Sequence, residues 1–150
     1  MIIASLLAVA IITLIILYPR IEMYAKHQYI FDDIDRLIEQ ASKDSNLVDS
    51  TEEGMEGFSP AKIYVRSEKS LKIVKEIVKE VLLTNRQENY EADGLVIEIY
   101  FGDYKMTSQM GIGIDKNVNG ELERIKFISP QGRVINDKVY ELLMSNRPAN

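Results

Sequence analysis

Residues Ile2 to Tyr18 read IIASLLAVAIITLIILY, without one charged side chain. This run constrains the chain more than any other feature. A membrane-spanning helix needs about 20 apolar residues, with a range of about 17 to 25, so the run sits at the short end. Pro19 disfavours helix at Tyr18. Tyr18 suits a membrane interface, and Arg20 gives a charged flank that can reach water. A cleaved signal peptide would carry a basic region ahead of the run and a small-x-small cleavage site. No Lys or Arg precedes it, and Ala8-Val9-Ala10 lies inside it. The expectation is an uncleaved anchor over residues 1–19, single-pass in the cell membrane, with the lipid bilayer as a partner. Cationic residues near the span, Arg20, Lys26 and Arg36, favour a cytoplasmic body when counted literally. Small domains behind an N-terminal anchor usually face outward, so the expected side is extracytoplasmic.

Beyond Pro19 the pattern becomes helical. Met23, His27, Ile30, Ile34, Leu37 and Ala41 are spaced 4, 3, 4, 3, 4, a heptad seam. Tyr24, Phe31 and Ile38 widen it. Residues 20–41 are therefore expected to form an amphipathic juxtamembrane helix, with these six residues as a helix interface. Two uses are open: contact with a protein partner or a second copy, or packing on the chain's own sheet. His27 is the sole histidine and lies on the seam, where burial would make it pH-sensitive.

Residues 42–60 are rich in Ser, Asp, Glu and Gly and read as a polar linker. A small α+β domain is expected over 61–150. Lys62–Arg66 reads as a strand. Ser67 is the expected N-cap of a helix from Glu68 to Thr84 that buries Leu71, Val74, Ile77, Val78, Val81 and Leu82. Lys69, Lys72, Lys75 and Lys79 share its polar side with Glu68, Glu76 and Glu80, which reads as a solvated face. Gly94–Phe101 alternates as a strand. After a turn at Gly102-Asp103, Tyr104, Met106, Ser108, Met110, Ile112 and Ile114 read as one face of a second strand. Asn119-Gly120 signals a hairpin into a third strand, Glu121–Ile128. Asn136 or Asp137 is the expected cap of a last helix, Lys138–Ser145. The predicted body is thus β-α-β-β-β-α with a mainly antiparallel sheet.

The chain has 150 residues, no cysteine and one histidine. Disulfide frameworks, thiol catalysis, zinc fingers and lipid attachment at cysteine are excluded. A formal charge of -5 argues against nucleic-acid binding. No P-loop, G-x-G-x-x-G or G-x-S-x-G motif is present. No catalytic, cofactor or metal residues are assigned, and a non-enzymatic chain is expected. Asp115-Lys116-Asn117-Val118-Asn119-Gly120-Glu121-Leu122 resembles the first eight positions of an EF-hand calcium loop. The twelfth position is Lys126 where that loop needs a bidentate Glu.

An apolar N-terminal helix, a proline near its end and an amphipathic continuation before a sheet resemble type IV pilins. That likeness implies a subunit of a filament or secretion machine. The run lacks the glutamate that this family carries near its start. The strand–helix–meander order is similar to cystatin-like envelope domains in topology alone. The expected function is a membrane-anchored accessory or scaffold domain making protein–protein contacts in a cell-envelope assembly. The alternatives are the pilin-like subunit and an ion or pH sensor using the Asp115–Gly120 hairpin or His27.

Overall fold

The computed structural model describes residues 2–52, 61–83, 97–108, 112–128 and 133–146. It is an α+β chain: α1 (Ile2–Lys43), β1 (Ser50–Glu52), β2 (Ala61–Tyr64), α2 (Glu68–Leu83), β3 (Ile97–Phe101), β4 (Tyr104–Ser108), β5 (Ile112–Val118), β6 (Glu121–Ile128) and α3 (Arg133–Ser145). The apolar run and the heptad segment are one helix, with Pro19 inside it. A proline removes one helical hydrogen bond and crowds the preceding turn. Here the helix continues past it. Leu6 to Tyr18 lie exposed, and α1 is by length and composition a helix able to cross a membrane.

The six strands lie in sequence order in one sheet. β2 and β3 are parallel, as a pair joined through a helix can be, and every other neighbouring pair is antiparallel. The expected sheet gains two strands. The first, β1, falls inside the segment read as a linker. It is three residues long and fully exposed, so neither face leaves an apolar alternation for a sequence to show. The second arises because the single strand read over 104–114 is two, β4 and β5. They pair with Met106 opposite Ile114, so both strands keep the same parity of buried positions. Tyr104, Met106, Ile112 and Ile114 are all buried. Met110 and Gly111 lie outside the described residues.

The last helix begins at Arg133, and Asn136 and Asp137 lie within it. Propensity differences of under about 1 kcal/mol per residue yield to packing, and Val139 and Leu142 are buried. Ser67 does cap α2: its Oγ accepts the Ser70 N–H at 3.3 Å. The Asn119-Gly120 turn has φ of 54° and 93°, the left-handed pair that a two-residue hairpin requires.

One core fills the inner face of the sheet. It joins Ile30, Phe31, Ile34 and Ala41 of α1, the apolar stripe of α2, strand residues including Ile63, Ile99, Phe101, Met106 and Ile114, and Val139 and Leu142 of α3. Each of the larger aliphatic side chains contributes about 1.5–3 kcal/mol when fully buried. The outer face is polar and cross-linked. Lys62 meets Glu52 at 3.3 Å across β1–β2, Lys105 pairs with Glu98 across β3–β4, and Arg124 with Asp115 across β5–β6. At the parallel junction Tyr64 stacks on Tyr100, ring centroids 5.0 Å apart. Gly113 gives the Arg124 guanidinium room to lie across β5, with a Cβ there falling 3.1 Å from it. β6 is a sheet edge and carries a bulge: Ile114 pairs with Lys126 and Asp115 with Arg124, leaving Ile125 as the extra residue.

Candidate functional site

α1 runs across the inner side of the sheet from His27, beside Lys126 of β6, to Leu37, beside the β3–β4 turn. At that far end the chain forms a cleft of about 300 Å3. Leu37 and Gln40 of α1 and Leu47 wall one side. Tyr64, Val65, Arg66, Tyr100 and Phe101, at the carboxyl ends of the parallel strands, wall the other. A neighbouring cavity of about 390 Å3 shares Leu37, Gln40 and Gly102 and adds Asp33, Arg36, Asp103 and Tyr104.

Three residues hold this end together. Gly102 has φ of 54° and lies so close to Leu37 that a Cβ would sit 2.9 Å from Leu37 Cδ1. Asp33 takes three partners: the Tyr104 hydroxyl donates to Oδ2 at 2.6 Å, Arg36 donates to Oδ1 at 2.7 Å, and Lys116 Nζ stands 3.7 Å from Oδ2. Burial and that bond to Asp33 push the Tyr104 hydroxyl well above the usual phenol range. Asp49 closes the segment after α1 onto the start of α2. Its Oδ1 accepts the Arg66 and Ser67 N–H groups, both at 2.7 Å, and Oδ2 accepts the Ser67 hydroxyl at 2.8 Å. Burial alone would raise the Asp49 carboxyl, but these donors outweigh it and hold it below the usual range.

On the outer face the Tyr100 hydroxyl donates to Glu98 at 2.7 Å, and burial together with that acceptor pushes it up to about 12. Burial likewise opposes Glu98 ionisation, yet Lys105 and Tyr100 hold its carboxyl below the usual range.

The carboxylates at the cleft are tied to donors, and among the described residues no group of three metal-ligating side chains converges. Asp115, the first position of the loop-like motif, is buried and engaged by Arg124. Compared with known protein families, curated proteins and solved structures, the chain has no match.

The structure brings the six seam residues onto the side of α1 that faces the chain's own body. Ile30 and Ile34 are wholly buried, Ala41 and His27 are 8% and 6% exposed, and Met23 and Leu37 are half-buried. His27 Nδ1 has no hydrogen-bond partner among the described residues. Burial, with Lys26 and Lys126 beside it, holds the imidazole below its ordinary value. The cleft was not legible in the sequence. Its walls come from α1, from residues read as linker and from the strand ends. The only local signals were Gly102-Asp103 as a turn and Ser67 as a cap.

Proposed function

We propose that the chain is a single-pass membrane-anchored, non-enzymatic domain that makes protein–protein contacts as an accessory or scaffold in a cell-envelope assembly. One observation carries this reading. α1 is a single helix whose first half is apolar and exposed and whose last turns, from His27 to Ala41, are built into the body's core. Such a helix transmits the position of an anchor to the body without a flexible joint. The cleft and the outer sheet face then stand at fixed places for partners. The juxtamembrane turns between Arg20 and Lys26, most of them exposed, are where a partner helix or a second copy adds to α1. Crosslinking in native membranes followed by capture of the full chain tests this. A specific partner or a dimer supports it, while a chain that stays monomeric, captures nothing and turns over a substrate overturns it.

The body is proposed to be extracytoplasmic. With no native cysteine, Ser145→Cys offers one exposed thiol. Labelling of intact cells by a membrane-impermeant maleimide supports that side, and protection until lysis places the body in the cytoplasm.

The continuity of α1 through Pro19 into the body also favours a second reading, a pilin-like subunit inserted through the same apolar half. Polymers seen by electron microscopy on overexpression support it, and their absence from cells that carry the chain at high level counts against it.

A further inference from the structure

We propose that the end of the body nearest the apolar segment is a docking surface for anionic phospholipid headgroups, formed by Arg20 and Lys26 of α1 and Lys126 of β6. The inference rests on the anchor reading above.

Helix geometry sets the distances. Ile2 to Tyr18 spans about 26 Å at about 1.5 Å per residue, a few Å less than a bilayer core of about 30 Å. A short span is accommodated by drawing its flanks into the interface. Lys26 follows Tyr18 by about 12 Å of helix, and the headgroup layer adds about 5–8 Å to each side of the core. A lysine extends its ammonium well beyond its own backbone, so Lys26 reaches that layer.

Lys126 arrives from another element. It pairs with Ile114, whose side chain is buried on the inner face, and it acts with Lys26 on the same buried imidazole of His27. Lys126 therefore lies on the inner face of the sheet, the side along which α1 runs. Among the described residues Arg20, Lys26 and Lys126 have neither an ion-pair nor a hydrogen-bond partner.

The charge of α1 is graded to match. From Arg20 to Phe31 the only acid is Glu22. From Asp32 to Glu52 the acids are Asp32, Asp33, Asp35, Glu39, Asp44, Asp49 and Glu52. Those distal acids are engaged: Asp32 by Gln28, Asp33 by Arg36 and Tyr104, Asp35 by Lys75, Glu39 by Lys43, Asp44 by Asn46, Asp49 by the start of α2, and Glu52 by Lys62. A chain of net charge -5 thus turns unpaired cations toward the bilayer and, Glu22 apart, keeps the carboxylates of α1 and the segment after it at the far end, the polarity an anionic lipid surface attracts.

The test uses the full chain in lipid nanodiscs of phosphatidylcholine alone or with phosphatidylglycerol added, read by amide hydrogen exchange. Exchange at residues 20–30 and 121–128 is expected to slow roughly five-fold for each lysine engaged when phosphatidylglycerol is present, with α2 unchanged. Lys26→Gln with Lys126→Gln removes the difference, and Lys26→Arg with Lys126→Arg keeps it. Equal exchange in both discs, with Ile2–Tyr18 protected in each, overturns this inference and leaves the anchor standing. Unprotected exchange of Ile2–Tyr18 in both discs overturns the anchor and this inference together.

Discussion

The Tyr104 hydroxyl donates to Asp33 across 2.6 Å, although the two residues are 71 positions apart. It bolts the half of α1 that enters the body to the first residue of β4. Asp33 is partly shielded and charged, so the bond belongs to the stronger class, about 1.5–3 kcal/mol for a charged acceptor, reduced by solvent and by the other partners of Asp33. Tyr104→Phe is expected to destabilise the detergent-solubilised chain by about 1–2 kcal/mol. Denaturant unfolding of Tyr104→Phe, Asp33→Asn and the double variant checks this, and the double variant should cost clearly less than the sum of the two.

Asp49 supplies what the start of α2 lacks. Asp49→Ala should cost about 1–2 kcal/mol, as loss of a helix cap does. The carboxyl is held below its unfolded value, so the folded state favours the ionised form. Its contribution is complete above the unfolded value of about 3.9 and is lost as pH falls through the lower folded value. Acid unfolding curves of wild type and Asp49→Asn should converge below about pH 4.

His27 has the opposite charge type and the same direction of pH dependence. Its imidazole is held low by burial and by Lys26 and Lys126, so the folded chain binds its proton less readily than the unfolded chain. Stability should fall as pH drops below about 6.5, the unfolded value, and stop falling once the folded imidazole protonates. Because the chain has one histidine, its ring resonance follows the titration directly. His27→Leu should remove this part of the pH dependence, and an imidazole titrating at or above about 6.5 would contradict it.

Gly102 combines a left-handed backbone with a close neighbour. Gly102→Ala places a Cβ at φ of 54° and 2.9 Å from Leu37 Cδ1, and a loss of about 1–3 kcal/mol is expected. Adding Leu37→Ala removes the close contact but not the backbone strain. The double variant should therefore not regain wild-type stability in the same unfolding assay.

Some of this was readable in the residues. The apolar stripe of α2 is continuous at helical spacing, and Ser67 stands one residue before it, so both element and cap were plain. Asn119-Gly120 fixed one hairpin by its need for positive φ. The division into β4 and β5 was hidden because their buried residues, Met106 and Ile114 among them, keep the same parity in both strands. β1 was hidden because a short exposed edge strand carries no burial pattern. The cleft was least visible of all. Tyr64 and Tyr100 come together only when β2 and β3 pair in register, and Asp49 meets Ser67 across 18 positions. Such contacts leave no trace in local spacing.

The bulged outer strand has a consequence for crowding. Chains tethered in one membrane, as proposed, are confined to two dimensions and collide edge to edge far more often than in solution. A straight, apolar rim would fuse them into a continuous sheet. β6 instead presents Glu121, Glu123, Arg124 and Lys126 along a ladder broken at Ile125, and charged, bulged rims are how natural sheets avoid that fate. This body can be dense on a membrane and still keep its neighbours' strands off its own.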